Sequence, residues 1–419
     1  MVHTVQHRHR LAGVVATAAA GALALTGCAS SQDPADGSGT GDAEGGSFTL
    51  WDPYPQFDET SAWATLLDTC AAEAGVEITR EGMDTSALTS KLLLAAQAKN
   101  APDLAVIDNP LVASIAETGL LASTDELGLD TSAILPNALA AGQLDGTAYG
   151  VPLGSNTLAL YYNAAILTET GMPEPTTWAE LRDVVAAAQA AGHQGIAFSA
   201  VGTEEGTFQF LPFFWGAGAE LDDLDSPEAV EALTLWTDFV TSGAASASVL
   251  NSTQADANDL FLAGDLAFQV NGSWQLPLLD AGDVEYGIVP IPGVDGGTAP
   301  APLGGEFLTV PVADADRQAT SAELVACITE PQNSLEWAKG LSYVLPVDDP
   351  DLESQQIEQT PNLAAFIDAV GSARGRTADL GTDYPRVSEK LWTAVQEALS
   401  GTKTPEQALT DAQAAVDAG

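Results

Sequence analysis

The feature that most restricts the fold of this chain is an alternation of strand-like and helix-like segments between Phe48 and Asp108. Phe48-Thr49-Leu50-Trp51 reads as a short strand. A polar, proline-containing turn from Asp52 to Asp58 leads into a helical pattern through Ala62, Leu66, Leu67 and Cys70. Val76-Glu77-Ile78-Thr79 alternates as a second strand, and residues 86–99 place Leu88, Leu92, Leu93 and Ala96 at helical spacing. Asp103-Leu104-Ala105-Val106-Ile107 then reads as a buried strand ending at Asp108-Asn109. Successive strands joined by helices pair in the same direction, so this order predicts an α/β fold with a largely parallel sheet.

The same punctuation continues downstream. Ala148-Tyr149-Gly150-Val151-Pro152-Leu153 leads into the apolar strand Leu158-Ala159-Leu160-Tyr161-Tyr162-Asn163. Thr176 or Thr177 can then cap a helix whose apolar face holds Leu181, Val184, Val185 and Ala188. Further helical patterns cover 228–241, 256–263, 322–329, 362–369 and 387–399. Residues 48–419 exceed what one hydrophobic core usually supports, so two lobes are expected.

Before this body, Arg8 and Arg10 precede an apolar run over 11–25, too short for the roughly 20 residues a membrane span needs. The run ends in Leu25-Thr26-Gly27-Cys28, which resembles the bacterial lipobox. That resemblance implies an export signal over 1–27 and a lipid on Cys28. Residues 28–47 are Ser, Asp and Gly-rich with almost nothing apolar, as a flexible tether would be. The body is therefore expected at the extracellular face of the cell membrane, in contact with lipid through the anchor only.

Charge removes several functions. With 13 basic and 58 acidic side chains the formal charge is −45, which leaves no basic patch to displace counterions from nucleic acid. His3, His7 and His9 lie in the export segment, so His193 alone serves the rest of the chain, and histidine-based catalysis has little to work with. Cys70 and Cys327 have no Cys-x-x-Cys partner or neighbouring histidine, which speaks against a thiolate nucleophile or zinc site. A disulfide and two buried free thiols both remain open for that pair.

Taken in order, several short motifs resemble the sugar-binding, maltose-binding-protein-like group (family 1) of extracellular solute-binding proteins of ABC importers. They are the lipobox, Tyr149-Gly150-Val151-Pro152, Leu160-Tyr161-Tyr162-Asn163, Pro175-Thr176-Thr177-Trp178, Asn271-Gly272-Ser273-Trp274, Gly304-Gly305, Leu345-Pro346-Val347 and Thr404-Pro405-Glu406-Gln407-Ala408-Leu409. The resemblance implies a two-lobed periplasmic-binding-protein-like (type II) fold with several hinge crossings and a ligand cleft between the lobes. Lobe one would hold 48–155 and 305–345, and lobe two 156–304 and 346–419. Both cysteines then fall in lobe one, which favours the disulfide. A carbohydrate ligand, ABC permease subunits as partners, a monomeric state, and no cofactor, metal or catalysis are implied as well.

A sugar needs directional hydrogen bonds for its hydroxyls and aromatic plates for its C–H faces. Trp274 matches a stacking position of the family, and Asn156 a polar contact. Asp108 and Asn109 sit at the carboxyl end of a strand, where open α/β sheets place ligands, and Tyr54 and Asp58 lie in the loop after the first strand. Gly305 and Glu306 offer backbone approach and a carboxylate, while Phe208 and Trp215 border the expected cleft, although Trp215 reads more strongly as core because Phe210 to Trp215 is almost continuously apolar. Arg386 can fork onto a ligand or pair with a nearby Asp. Two other readings stay open: the same fold holding a cationic or other small solute, and a surface glycoside hydrolase using two carboxylates.

Overall fold

The structure, a computed structural model, describes residues 46–419. The expected export segment, Cys28 and nearly all of the tether lie outside the described residues.

The early alternation forms as the sequence predicts. Ser47–Asp52, Glu77–Gly82 and Leu104–Asp108 are parallel, with Ser47–Asp52 in the middle. Helix Ala62–Ala74 starts where the Ser61 side chain accepts from the Ala64 N–H and stops at left-handed Gly75; Asp84 caps Thr85–Ala98 in the same manner. Two further strands complete this sheet. Glu306–Thr309 runs antiparallel to Leu104–Asp108 and to Val151–Pro152.

A second sheet departs from the parallel expectation. Its order is Tyr286–Val289, Leu158–Asn163, Leu266–Gly272, Gln194–Ala197, and only the last pair is parallel. The rule that predicts parallel pairing applies to neighbours joined by one crossover helix. Leu158–Asn163 and Leu266–Gly272 are instead neighbours across a long excursion that returns from the opposite end.

Each sheet has its own core. Around the first gather Leu50, Leu104, Val106, Leu308, Trp63 and Trp337, all at most 1% exposed. Around the second, Trp236 stacks on Phe198 with centroids 4.0 Å apart and takes Phe210 and Phe213 edge-on at 5.0 and 5.6 Å. The apolar run Phe210-Leu211-Pro212-Phe213-Phe214-Trp215 belongs to helix Glu204–Gly216, which is buried on all sides from Gly206 to Trp215. Cys70 and Cys327 are disulfide-bonded with Cα atoms 5.8 Å apart, joining helix Ala62–Ala74 to helix Ala315–Ile328.

Three chain segments pass side by side between the sheets. Ser155 and Val344 exchange backbone hydrogen bonds of 2.8 Å in both directions, and Asn156 and Gly304 do so at 3.1 and 2.8 Å. Gly305 has φ +122°, and a Cβ there would lie 2.1 Å from the Gly154 carbonyl oxygen, so glycine alone permits this approach.

Candidate functional site

The site is built where the strand ends of the first sheet meet the second core. Asp108 and Glu306 are directly opposite each other on antiparallel strands, which places two carboxyls side by side at the sheet edge. The Tyr54 hydroxyl donates to one Glu306 oxygen and the Tyr343 hydroxyl to the other, both at 3.2 Å. Burial first, and then the neighbouring Asp108 carboxylate, pushes the Glu306 carboxyl up to about 8. It is therefore largely a neutral acid at pH 7.

Tyr54 is held by the loop that carries it. Its N–H donates to Asp52 at 3.0 Å, and Asp52, fully buried, also accepts from Trp63 Nε1 at 2.9 Å and Arg80 Nε at 2.5 Å. Arg80 donates further to the Phe57 and Tyr54 carbonyls, so one guanidinium ties down the whole turn.

Arg376, only 2% exposed at its side chain, joins the two halves of the site. It pairs with Asp108 at 2.6 Å on the first sheet and with Glu204 at 2.7 Å at the start of helix Glu204–Gly216 in the second core. The carboxylates beside it keep the guanidinium firmly charged despite its burial. Glu204 also accepts from the Tyr384 and Ser388 hydroxyls; burial raises its pKa, and Arg376 opposes that rise.

Aromatic surface comes from the second core. Trp274 follows strand Leu266–Gly272, is partly buried, and packs against both cores. Phe208 lies 6.2 Å from it, and the Arg376 guanidinium sits 4.8 Å from the Phe208 ring. The spacing of Asn271-Gly272-Ser273-Trp274 has a steric cause. The indole lies across Gly272, where a Cβ would come within 2.0 Å of the ring.

Of the residues singled out in the sequence, Asp108, Asn109, Tyr54, Glu306, Phe208, Trp274 and Asn156 come together here, with the Gly305 backbone beside them. Asn109 accepts from Arg376 and donates to the Leu303 carbonyl. Asp108 makes no side-chain cap on the helix that follows, its oxygens being taken by Arg376. The Asn156 side chain meets the Tyr343 hydroxyl.

Three others stand elsewhere. Asp58 is exposed in a turn, accepting from Thr60, which holds its carboxyl below the usual range. Trp215 is core, 4% exposed, under the Arg374 guanidinium. Arg386 donates to the Val416 carbonyl at 2.7 Å and lies 3.6 Å from Asp383, so it serves the C-terminal helices.

Sequence reasoning missed Arg376, Glu204, Tyr343 and Tyr384. The scarcity of cations that drew attention to Arg386 applied equally to Arg376, ten positions earlier. Only the short pairing of Pro302-Leu303 with Arg374-Gly375, invisible in the periodicity, brings Arg376 to the centre.

Residues 65–365 match the family of bacterial extracellular solute-binding proteins, and the chain belongs to that family. A maltotriose-binding protein of Pyrococcus abyssi is 27% identical over 322 residues, covering 74% of this chain and 68% of its own. Among solved structures, maltose-bound MalE3 of T. maritima superposes with a TM-score of 0.79 at 22% identity, covering 89% of this chain and 99% of its own. The GacH receptor of Streptomyces glaucescens, solved unliganded and with acarbose, gives 0.77 at 25% identity, covering 88% and 97%. The fold is thus the two-lobed α/β architecture of solute-binding proteins.

Proposed function

We propose that this protein captures a carbohydrate, a mono- or oligosaccharide, in the cleft between its lobes and delivers it unchanged to the permease of an ABC importer. In this reading the protein works as a monomer at the outer face of the membrane, held by a lipid on Cys28. The lobes divide as 48–155 with 305–345 and 156–304 with 346–419, and the paired segments at Ser155, Gly304 and Val344 are the hinge.

One observation carries the reading: Trp274, only partly buried, packs against both cores, with Phe208 beside it and a row of hydroxyl and carboxyl groups at the edge of the first sheet. Aromatic faces flanked by directional donors and acceptors fit the two surfaces of a sugar. The relatives that bind maltose, maltotriose and acarbose support the same solute class.

The test is a thermal-shift panel of mono- and oligosaccharides that includes maltotriose, followed by analysis of the sugar after incubation. A ligand that binds only the folded state raises the melting temperature by mass action. A rise with the sugar recovered intact is expected. No rise across the panel would refute carbohydrate capture, and new reducing ends would reassign the protein to the hydrolases.

A further inference from the structure

The charge of the cleft is set by a single guanidinium whose hydrogen bonds are all taken. Arginine has five N–H donors. In Arg376, Nε donates to the Leu303 carbonyl at 3.3 Å, Nη1 to Asp108 and Glu204 at 3.1 and 2.7 Å, and Nη2 to Asp108 and Asn109 at 2.6 and 2.9 Å. No donor is left to fork onto an acidic group of a ligand. The cation joins the lobes and offers nothing to a solute.

Around it the carboxyls outnumber the cation. Asp108 and Glu204 share Arg376, and Glu306 stands opposite Asp108 with hydroxyl partners alone; among the described residues it has no ion pair. An anionic sugar placed here would meet three carboxyls and, among the described residues, no free cation. A neutral sugar is tolerated because Glu306 stays protonated at neutral pH. An ammonium would supply the positive charge that Glu306 lacks, among the Tyr54 and Tyr343 hydroxyls that already face its two oxygens.

We propose that the cleft selects its sugar by charge, with Glu306 receiving the ammonium of an amine-bearing carbohydrate while sugars that carry a carboxylate or phosphate are rejected. This rests on carbohydrate capture as read above and names the class of sugar. The proton balance follows from the pairing. At pH 6 both the Glu306 carboxyl and a sugar amine are protonated, so forming the ion pair expels the carboxyl proton to solvent. A neutral sugar expels none.

The experiment is calorimetric titration of the whole protein at pH 6 in two buffers of different ionisation enthalpy. The probes are glucose, glucosamine and glucuronic acid, the β-1,4 trimers of glucose and glucosamine, and maltotriose. The amine is expected to bind about tenfold or more tighter than its neutral counterpart, a gap of about 1.4 kcal/mol. It should release close to one proton, and glucuronic acid should not bind. Glu306→Gln, checked for folding by its melt, should bring the amine-to-neutral ratio close to one and abolish proton release. Equal or tighter binding of the neutral sugar, binding of maltotriose without either amine, or amine binding with no proton released by the wild type would each overturn charge selection and leave carbohydrate capture standing. Failure of every sugar, in this set and in the thermal panel, would overturn both.

Discussion

The two lobes are held together by different means. The first, with the thinner core, is braced by the Cys70–Cys327 disulfide and by ion pairs anchored at its strands, Asp52 with Arg80 and Asp103 with Arg317. The second relies on a continuous aromatic core around Trp236 and Phe198, with no disulfide among the described residues. The site inherits this division. The braced lobe presents fixed polar groups, Tyr54, Asp108, Glu306 and Tyr343, whereas the aromatic lobe presents the rings of Trp274 and Phe208. The two carboxyls at the edge stand on paired strands, Asp108 ending one and Glu306 opening the other, and Arg376 ties this edge to Glu204 in the aromatic lobe.

The largest effect should come from removing that joint. Arg376→Ala leaves Asp108 and Glu204 without their cation, and breaking a buried pair in this way costs about 3–5 kcal/mol. Urea denaturation at pH 7 measures it; a loss under about 1 kcal/mol would mean that the lobes do not depend on this residue. Next, the Cys70→Ser, Cys327→Ser double variant should lose about 2–4 kcal/mol, because the bond closes a long loop of the unfolded chain. Calorimetry should show the loss in the first lobe's transition, and a loss confined to the second lobe would undo the contrast.

On the aromatic side, Trp274→Ala should weaken sugar binding by about 2 kcal/mol, roughly thirtyfold, while changing stability less than the disulfide does. Glu306 adds a pH signature to the polar side. Its folded pKa lies above that of an unfolded carboxyl, so its contribution to stability is present in full at acid pH and is lost as the pH climbs toward 8. Melts of wild type and Glu306→Gln should therefore converge or cross between about pH 5 and 8, the window bounded by the ordinary carboxyl range and the raised value. A difference that stays constant with pH would show that Glu306 titrates normally. The smallest effects belong to Asp58→Ala and Arg386→Ala, both outside the cluster, which should leave sugar affinity within about twofold.

Much of the first lobe was legible because its βαβα order comes with helical periodicity, as at Leu66 and Leu67 or Leu88 and Leu92, whose side chains the helices bury. The second sheet was not, since its neighbours Leu158–Asn163 and Leu266–Gly272 meet only after a long detour. Helix Glu204–Gly216 lacks a polar face, so its Phe210 to Trp215 run shows no helical period, and Pro212 in its interior argues against a helix. In the site, residues at strand ends could be read directly: Asp108 and Asn109 close a strand, and Trp274 follows one. Arg376 could not. Its role depends on a two-residue pairing between distant segments, and one cation among acids looks the same in sequence whether it bridges two lobes or caps a helix, as Arg386 does.

The most direct test of carbohydrate capture is equilibrium dialysis of the whole protein against the labelled sugar that raises its melting temperature most, with the bound fraction recovered and analysed. One intact sugar per protein, released on dilution and lost with Trp274→Ala, is the expected result. No retention, a shortened sugar, or retention indifferent to Trp274→Ala would contradict the account.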